Sequence, residues 1–351
     1  IQYFGGKTQA VEKNTRVKAR VKAHALKEFM NTKEKVVVMG HRLPDADSFG
    51  AAIGIYRAAK TLNKKAYIVI DNPTSSIIPL MNTFRDDQDY EADMFVNNHE
   101  AKEIMDDNTL LVVVDTNKPS ITQCEDLLYM AKMIVVLDHH RQGSDTIRNS
   151  VLSYIEPYAS SASEMVAEIL QYFTEGIRIR NVEADSIYAG IMIDTDNFMQ
   201  KTGVRTFEAA AFLRRCGADV TRVRKLFRED MNDYKARGET IRNAELFRGQ
   251  FAISECPSDY VDSPTVVGAQ AANELLNIVG VKASFVLTEY KGVIYISARA
   301  IDEVNVQIIM ERMGGGGHLN MAGCQLETVN MEEARNLLKS TLTEMQDGGE
   351  I

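Results

Sequence analysis

Four times in its first two hundred residues, this chain drives a short apolar run straight into carboxylates or imidazoles. Val36 to Met39 leads into Gly40-His41-Arg42-Leu43-Pro44-Asp45-Ala46-Asp47-Ser48, and Leu110 to Val114 into Asp115-Thr116-Asn117. Met133 to Leu137 leads into Asp138-His139-His140-Arg141, and Ile187 to Ile193 into Asp194-Thr195-Asp196. Short continuous apolar runs read as strands buried on both faces, as in parallel sheets. In a doubly wound sheet the carboxyl ends of such strands share one edge, where ligand sites form. The pattern predicts an α/β domain with a doubly wound, mainly parallel sheet, at whose edge His41, Asp45, Asp47, Asp115, His139 and Asp194 converge.

The first cluster supports two readings. As a metal loop, Asp45 and Asp47 stand two residues apart, can point to opposite sides and can serve two ions, while Pro44 limits the freedom lost on ordering. As turn chemistry, Pro-Asp-x-Asp-Ser is an N-cap for the Ala-rich helix that follows. A strand-ending Asp that caps the next helix is the ordinary explanation for each cluster taken singly. His139-His140 fits that explanation less well, because three of the chain's six histidines fall in these two clusters.

Asp138-His139-His140, the upstream His-x-x-x-Asp-x-Asp and the two further aspartates together resemble the DHH phosphoesterase superfamily. The second half agrees. Ser297-Ala298-Arg299 on a strand, followed by Gly314-Gly315-Gly316-Gly317-His318-Leu319-Asn320-Met321-Ala322-Gly323, resembles the type 1 DHH-associated domain. Asn305-Val306-Gln307 and the Gly-His-x-x-Pro-Asp-x-Asp-Ser opening most resemble the GdpP-type cyclic di-AMP phosphodiesterases within that superfamily. The resemblance covers roughly residues 32 to 345.

Composition suits a soluble protein of two domains, since 351 residues with 45% hydrophobic content exceed one ordinary core. No run of eighteen apolar residues and no signal peptide is visible. Cys124, Cys216, Cys256 and Cys324 are widely spaced, which suggests neither a disulfide framework nor a thiolate zinc site. A net charge of -9 argues against gripping long nucleic acid through many phosphates. The chain opens on Ile1, and its first thirty residues carry Lys or Arg at 7, 13, 16, 18, 20, 22 and 27, read as a basic, solvated helix after a linker. Residues 1–31 are accordingly set apart, 32–225 form the metal-bearing domain, 226–244 a helical linker, and 245–351 a smaller α/β domain. In the last, Thr265 to Leu276 and Glu332 to Met345 read as helices. Ala283 to Thr288 and Val293 to Arg299 read as strands joined by a turn at Lys291-Gly292.

Hard oxygen donors mixed with imidazole suit manganese, and a pair of such ions can activate a shared water. The resemblance implies two manganese ions: His41 and Asp45 on the first, Asp47 and His139 on the second, and Asp115 and Asp194 completing the pair, with Asp115 as bridge. Asp196 is the alternative to Asp194. His140 is expected at the substrate, protonating the leaving oxygen or donating to a phosphoryl oxygen; the alternative is that it orients a ligand. The glycines Gly314, Gly315, Gly316 and Gly317, with His318, are read as a phosphate-holding backbone nest, and Arg299 as a bidentate phosphate ligand. Ser160-Ser161-Ala162-Ser163 is read as a helix cap.

The resemblance implies hydrolysis of cyclic di-AMP to 5′-pApA by hydroxide attack, with cyclic di-GMP a poorer substrate. Other outcomes are a nanoRNase or pAp phosphatase on short oligoribonucleotides, and a nucleotide-sensing module without turnover. It also implies a bacterial parent protein anchored in the cell membrane, with this portion cytoplasmic and free of direct membrane contact, and a homodimer is expected.

Overall fold

The computed structural model describes residues 8–228, 230–301 and 304–351, without the side chains of 8–15 and 318. Chain contacts divide it into two units after Arg228.

The first unit runs α1 (Thr8–Asn31), β1 (Lys35–Met39), α2 (Ala46–Thr61), β2 (Lys65–Val69), α3 (Ile78–Arg85), β3 (Phe95–Val96), α4 (Asn98–Ile104) and β4 (Thr109–Val114). It continues through α5 (Asp126–Met130), β5 (Ile134–Asp138), β6 (Leu152–Ile155), α6 (Ala162–Phe173), α7 (Asn181–Asp194), α8 (Val204–Arg215) and α9 (Val220–Leu226). Its six strands pair in parallel in the order β3-β2-β1-β4-β5-β6. Both faces are covered, as a parallel sheet requires: Val36, Val38, Val112 and Val135 point into one core, and Val37, Val113 and Val136 into another. The strand order reverses between β1 and β4, so the loops after those strands diverge and leave a crevice at their carboxyl ends.

Two sequence readings change here. Ile187 to Ile193, read as a strand, is the second half of helix α7. Ala184, Ile187, Tyr188, Ala189, Ile191 and Met192 are all buried, because α7 packs on both α2 and α6. A helix buried all round shows no 3.6-residue period, and a short apolar run then looks the same as a strand. Helix α1 is also more than a solvated basic segment. Ala19, Ala23, Leu26 and Met30 lie on one stripe, fully buried, and the helix packs on α6.

The second unit runs α10 (Met231–Arg242), β7 (Glu245–Phe247), β8 (Phe251–Cys256), α11 (Pro264–Leu275), β9 (Ala283–Tyr290), β10 (Val293–Ala300), α12 (Val306–Arg312), β11 (Gly316–His318), β12 (Met321–Leu326) and α13 (Met331–Asp347). The six strands follow the order β11-β12-β10-β9-β8-β7, with only β8 and β9 parallel. Lys291 and Gly292 both take positive φ, the turn that matches a twisted hairpin between β9 and β10. The segment 226–244, read as a linker, is divided: α9 ends at Leu226 in the first unit, and α10 packs on α11 in the second.

Candidate metal centre

Three strand ends, the start of α2 and the end of α7 supply the charged groups of the crevice. His41 follows β1, and its loop is fastened to the neighbouring chain where Arg42 N–H donates to Ile121 O at 2.8 Å and Gln123 N–H to Gly40 O at 2.8 Å. Asp45 begins α2, its carboxylate accepting from Ser48 N–H at 2.9 Å. The cap reading holds, because one Asp45 oxygen caps the helix, and the other oxygen stands 3.6 Å from His41 Nε2, where a cation could reach it. Asp47 lies within the first turn of α2, where it accepts from Ala162 N–H at 2.7 Å and Ser163 N–H at 2.8 Å.

Asp115 leaves the end of β4 with φ +58 and is 3% exposed. A non-glycine residue in the left-handed region is held there by its surroundings, at a cost of order 1–3 kcal/mol that clusters at working sites. Its two oxygens face in two directions. Asp115 Oδ2 stands 3.3 Å from His41 Nε2, and Asp115 Oδ1 stands 3.3 Å from His139 Nε2. His139 Nε2 is also 3.8 Å from Asp47 Oδ2 and 3.8 Å from Asp194 Oδ2.

The donors therefore fall into two triads, His41-Asp45-Asp115 and Asp47-His139-Asp194, with Asp115 reaching toward both and a third grouping of Asp115, His139 and His140 between them. Donors sharing one divalent ion at about 2.0–2.2 Å stand roughly 3–3.6 Å apart, close to these separations. Buried Asp115 Oδ1 and Asp194 Oδ2 accept no hydrogen bond from the described residues, and buried carboxylate oxygens without a donor suit a cation. The residues present fit a pair of divalent cations.

Electrostatics point the same way. Burial alone would lower the His41 pKa, but the Asp115 and Asp45 carboxylates outweigh it and raise it to about 10. His139 is likewise lowered by burial and raised on balance, to about 9, by Asp115, Asp47 and Asp194. Burial, with Asp115 and Asp194 adding to it, pushes Asp47 well above the usual carboxylate range. Burial raises Asp194 too, helped by Asp115. Without cations, crowded carboxylates keep protons in the crevice; cations would take their place.

His140 is set differently from the other two imidazoles. Its backbone N–H and Nδ1 both contact Asp138 Oδ1, at 3.1 and 2.8 Å, while its side chain is 57% exposed. Asp138 is fully buried and accepts a further hydrogen bond from Asn117 Nδ2. Burial opposes its ionisation, yet the bonds from His140 hold the Asp138 carboxyl below its ordinary value. Asp138 and Asn117 were not among the sequence-derived site residues. The signal was present in Asp138-His139-His140 itself, as a carboxylate two residues before an imidazole. Asp196 also takes positive φ, and its carboxylate accepts from Gln200 Nε2 at 3.4 Å, outside both triads.

The second unit holds the remaining sequence-derived residues. Arg299 Nε donates to Asn273 Oδ1 and Nη1 to Ala298 O, each at 2.9 Å, and no carboxylate pairs with it among the described residues. The glycine run is not one free loop. Gly314 and Gly315 N–H groups donate to Glu311 O and Met310 O at the end of α12, and residues 316–318 form β11 against β12. A Cβ on Gly315 would overlap Gly323 O, and one on Gly317 would come within 2.5 Å of Ala322 Cα, whereas Gly314 and Gly316 have open space within 4 Å. Strand pairing was hidden because glycine has little strand propensity of its own. The His318 side chain lies outside the described residues.

Fold and donors thus define a doubly wound α/β protein with a candidate divalent-cation site at its switch point. The chain belongs to the DHH family: residues 35–191 match the DHH family, N-terminal domain, and residues 251–344 match the DHHA1 domain. It is 43% identical over 99% of its length to the cyclic-di-AMP phosphodiesterase GdpP of Bacillus subtilis, covering 53% of that protein. It is 40% identical over 97% of its length to the cyclic-di-AMP phosphodiesterase PdeA of Listeria monocytogenes, covering 52%. The chain thus spans about half the length of these curated relatives. Among solved structures, an exopolyphosphatase-related protein from Bacteroides fragilis shares the fold at TM-score 0.77 and 20% identity, over 93% of this chain and 97% of that one. No helix among the described residues is long and apolar enough to cross a membrane.

Proposed function

We propose that this chain is the catalytic portion of a phosphodiesterase that opens cyclic di-AMP to linear 5′-pApA. The observation that carries the reading is the pair of donor triads meeting at Asp115, in a chain 40–43% identical across both domains to proteins named for that activity. His41, Asp45 and Asp115 would hold one ion and Asp47, His139 and Asp194 the other, with Asp115 between them. Carboxylate and imidazole donors without thiolate favour manganese. Such a pair supplies positive charge opposite the phosphoryl oxygens and lowers the pKa of a water.

The chain's own proton donor is His140. With Nδ1 bound to Asp138, its exposed edge is Nε2. A protonated His140 gives the Nε2 proton to the departing O3′ as phosphorus bonds to the oxygen of a water that has lost one proton to solvent and the P–O3′ bond breaks. The neutral ring that remains keeps its Nδ1 proton and donates it in a hydrogen bond to Asp138 Oδ1, so Asp138 fixes the tautomer through the step. In the second unit, Arg299 and the open side of Gly316 are assigned to nucleotide phosphate. Arg299 still has guanidinium N–H groups to offer after bonding Asn273 and Ala298.

Turnover of cyclic di-AMP, cyclic di-GMP, pApA and pAp, measured side by side with manganese, tests the assignment. Cyclic di-AMP should disappear fastest, with pApA accumulating. Faster release of AMP from pApA than loss of cyclic di-AMP would make the chain an oligoribonucleotidase instead.

A further inference from the structure

Asp47 is the most tightly held of the candidate cation donors, and what holds it lies far away in the sequence. Each of its carboxylate oxygens accepts a backbone N–H from the first turn of α6, Oδ2 from Ala162 and Oδ1 from Ser163, while Ser163 Oγ returns a bond to Asp47 O at 3.0 Å. The carboxylate, 2% exposed, can neither rotate nor tilt without breaking one of these bonds.

That first turn is itself locked on all sides. Ser161 caps it by accepting from Glu164 N–H at 3.0 Å, and the buried Glu164 carboxylate accepts from Ser160 Oγ and from Thr206 Oγ1 on α8. Ser163 fills the space left by two glycines. A Cβ on Gly50 of α2 would lie 2.7 Å from Ser163 Oγ and 2.6 Å from Ser186 O, and one on Gly190 of α7 would overlap the same hydroxyl. Gly50 sits three residues after Asp47 and Gly190 four before Asp194, about one helical turn from each donor. Helices α2, α6 and α7 therefore meet at one serine beside two candidate cation donors. The buried Asp115 Oδ1 and Asp194 Oδ2, which accept no hydrogen bond from the described residues, stand with Asp47 Oδ2 around His139 Nε2.

We propose that the first turn of α6, keyed by Ser163 between Gly50 and Gly190, positions Asp47 for its cation. This rests on the two-cation reading above. Ala162 and Ser163 are positioning residues: their amides fix the plane of the carboxylate, leaving Asp47 Oδ2 a free lone pair directed at the space shared with His139 and Asp194. Losing such an outer partner typically weakens metal affinity about 10- to 100-fold.

Ala162 occupies the first helical position, where proline fits without breaking a helix, and Ser161 before it is already extended, at φ -161 and ψ 161. Ala162→Pro thus removes one donor to Asp47, and Ala162→Gly keeps it. Manganese binding to the full chain is measured calorimetrically, with the manganese dependence of cyclic di-AMP turnover alongside. Ala162→Pro should weaken one of two manganese sites about 10- to 100-fold and raise the manganese concentration for half-activation in step. The kcat at saturating manganese and the KM for substrate should stay near wild type, and Ala162→Gly should restore the affinity. Ser163→Ala keeps both amides but loses the hydroxyl, so a smaller loss at the same site is expected; it carries the test should Ala162→Pro not fold. Wild-type affinity in a folded Ala162→Pro, or in Ser163→Ala if only that variant folds, overturns the proposal. A lowered melting temperature with unchanged affinity does the same. If the wild type binds two manganese ions and weakens as described in the variants yet leaves cyclic di-AMP intact, the proposed function fails and the positioning role stands.

Discussion

The crevice of the first unit and the glycine run of the second combine structure and chemistry in opposite ways. In the crevice, one residue does both: Asp45 caps α2 and faces His41, and Asp115 ends β4 in a left-handed conformation while facing both His41 and His139. In the glycine run the duties alternate. Gly315 and Gly317 are small because β12 lies against them, whereas Gly314 and Gly316 have open space. Substitution in the crevice should therefore disturb fold and chemistry together, and substitution along the glycines should separate them.

The sharpest test falls on Asp115. Asparagine tolerates positive φ, so Asp115→Asn keeps the backbone and removes the charge between the triads. Hydrolysis of cyclic di-AMP should fall to background, and calorimetry should find at most one manganese ion bound. Near-normal turnover at saturating manganese would break the two-cation assignment.

Next comes pH. With His41 at about 10, His139 at about 9 and Asp47 and Asp194 raised, the ion-free folded chain holds more protons than the unfolded one from mildly acidic pH upward. For the histidines, this stability is full below about 6.5 and is lost as pH rises through the folded values. Thermal melts of the ion-free chain should therefore fall between pH 7 and 10. Manganese must displace those protons, so its affinity should rise about tenfold per pH unit for each proton released. Calorimetry at pH 7 in buffers of different ionisation enthalpy counts them; a count of zero contradicts the crowding of carboxylates around the two imidazoles.

The glycine run offers a smaller and cleaner contrast. Gly315→Ala forces a methyl onto Gly323 O and Cys324, which should cost about 1–3 kcal/mol of stability. A Cβ at Gly316 meets nothing within 4 Å, so the stability of Gly316→Val should stay within about 0.5 kcal/mol of wild type. Its KM for cyclic di-AMP should rise if that side faces nucleotide. Equal melting temperatures for the two variants would erase the alternation.

Much of this was legible in the sequence because the residues are rare types at strand ends. His41, Asp115 and His139 stand out after apolar runs, and the sheet order then places them together without further information. Asp194 was placed beside them for an incorrect reason, since the run before it is helix α7, most of it buried. The clamp on Asp47 was not legible at all: Ala162 and Ser163 hold it by backbone N–H groups that every residue but proline has. The strand in the glycine run was hidden for a similar reason, since pairing by backbone leaves no mark on side-chain type.

The last contrast lies at Arg299, where the two parts of the comparison meet in one side chain. Its Nε is spent on Asn273 and one Nη1 hydrogen on Ala298 O, so structure holds the guanidinium while the remaining N–H groups, with no partner among the described residues, are the ones the proposed function assigns to phosphate. Removing Arg299 by alanine should raise the KM for cyclic di-AMP by the loss of one charge-assisted bond, about 1.5–3 kcal/mol, with kcat little changed. Asn273→Ala touches only the support. A neutral hydrogen bond contributes about 0.5–1.5 kcal/mol, and Arg299 keeps its second anchor, so the KM change should sit at or below that range. Steady-state kinetics on the two single variants and the double variant decide the matter. If Asn273 acts through Arg299, the double variant should match Arg299→Ala alone; additive losses would show that Asn273 meets the substrate itself.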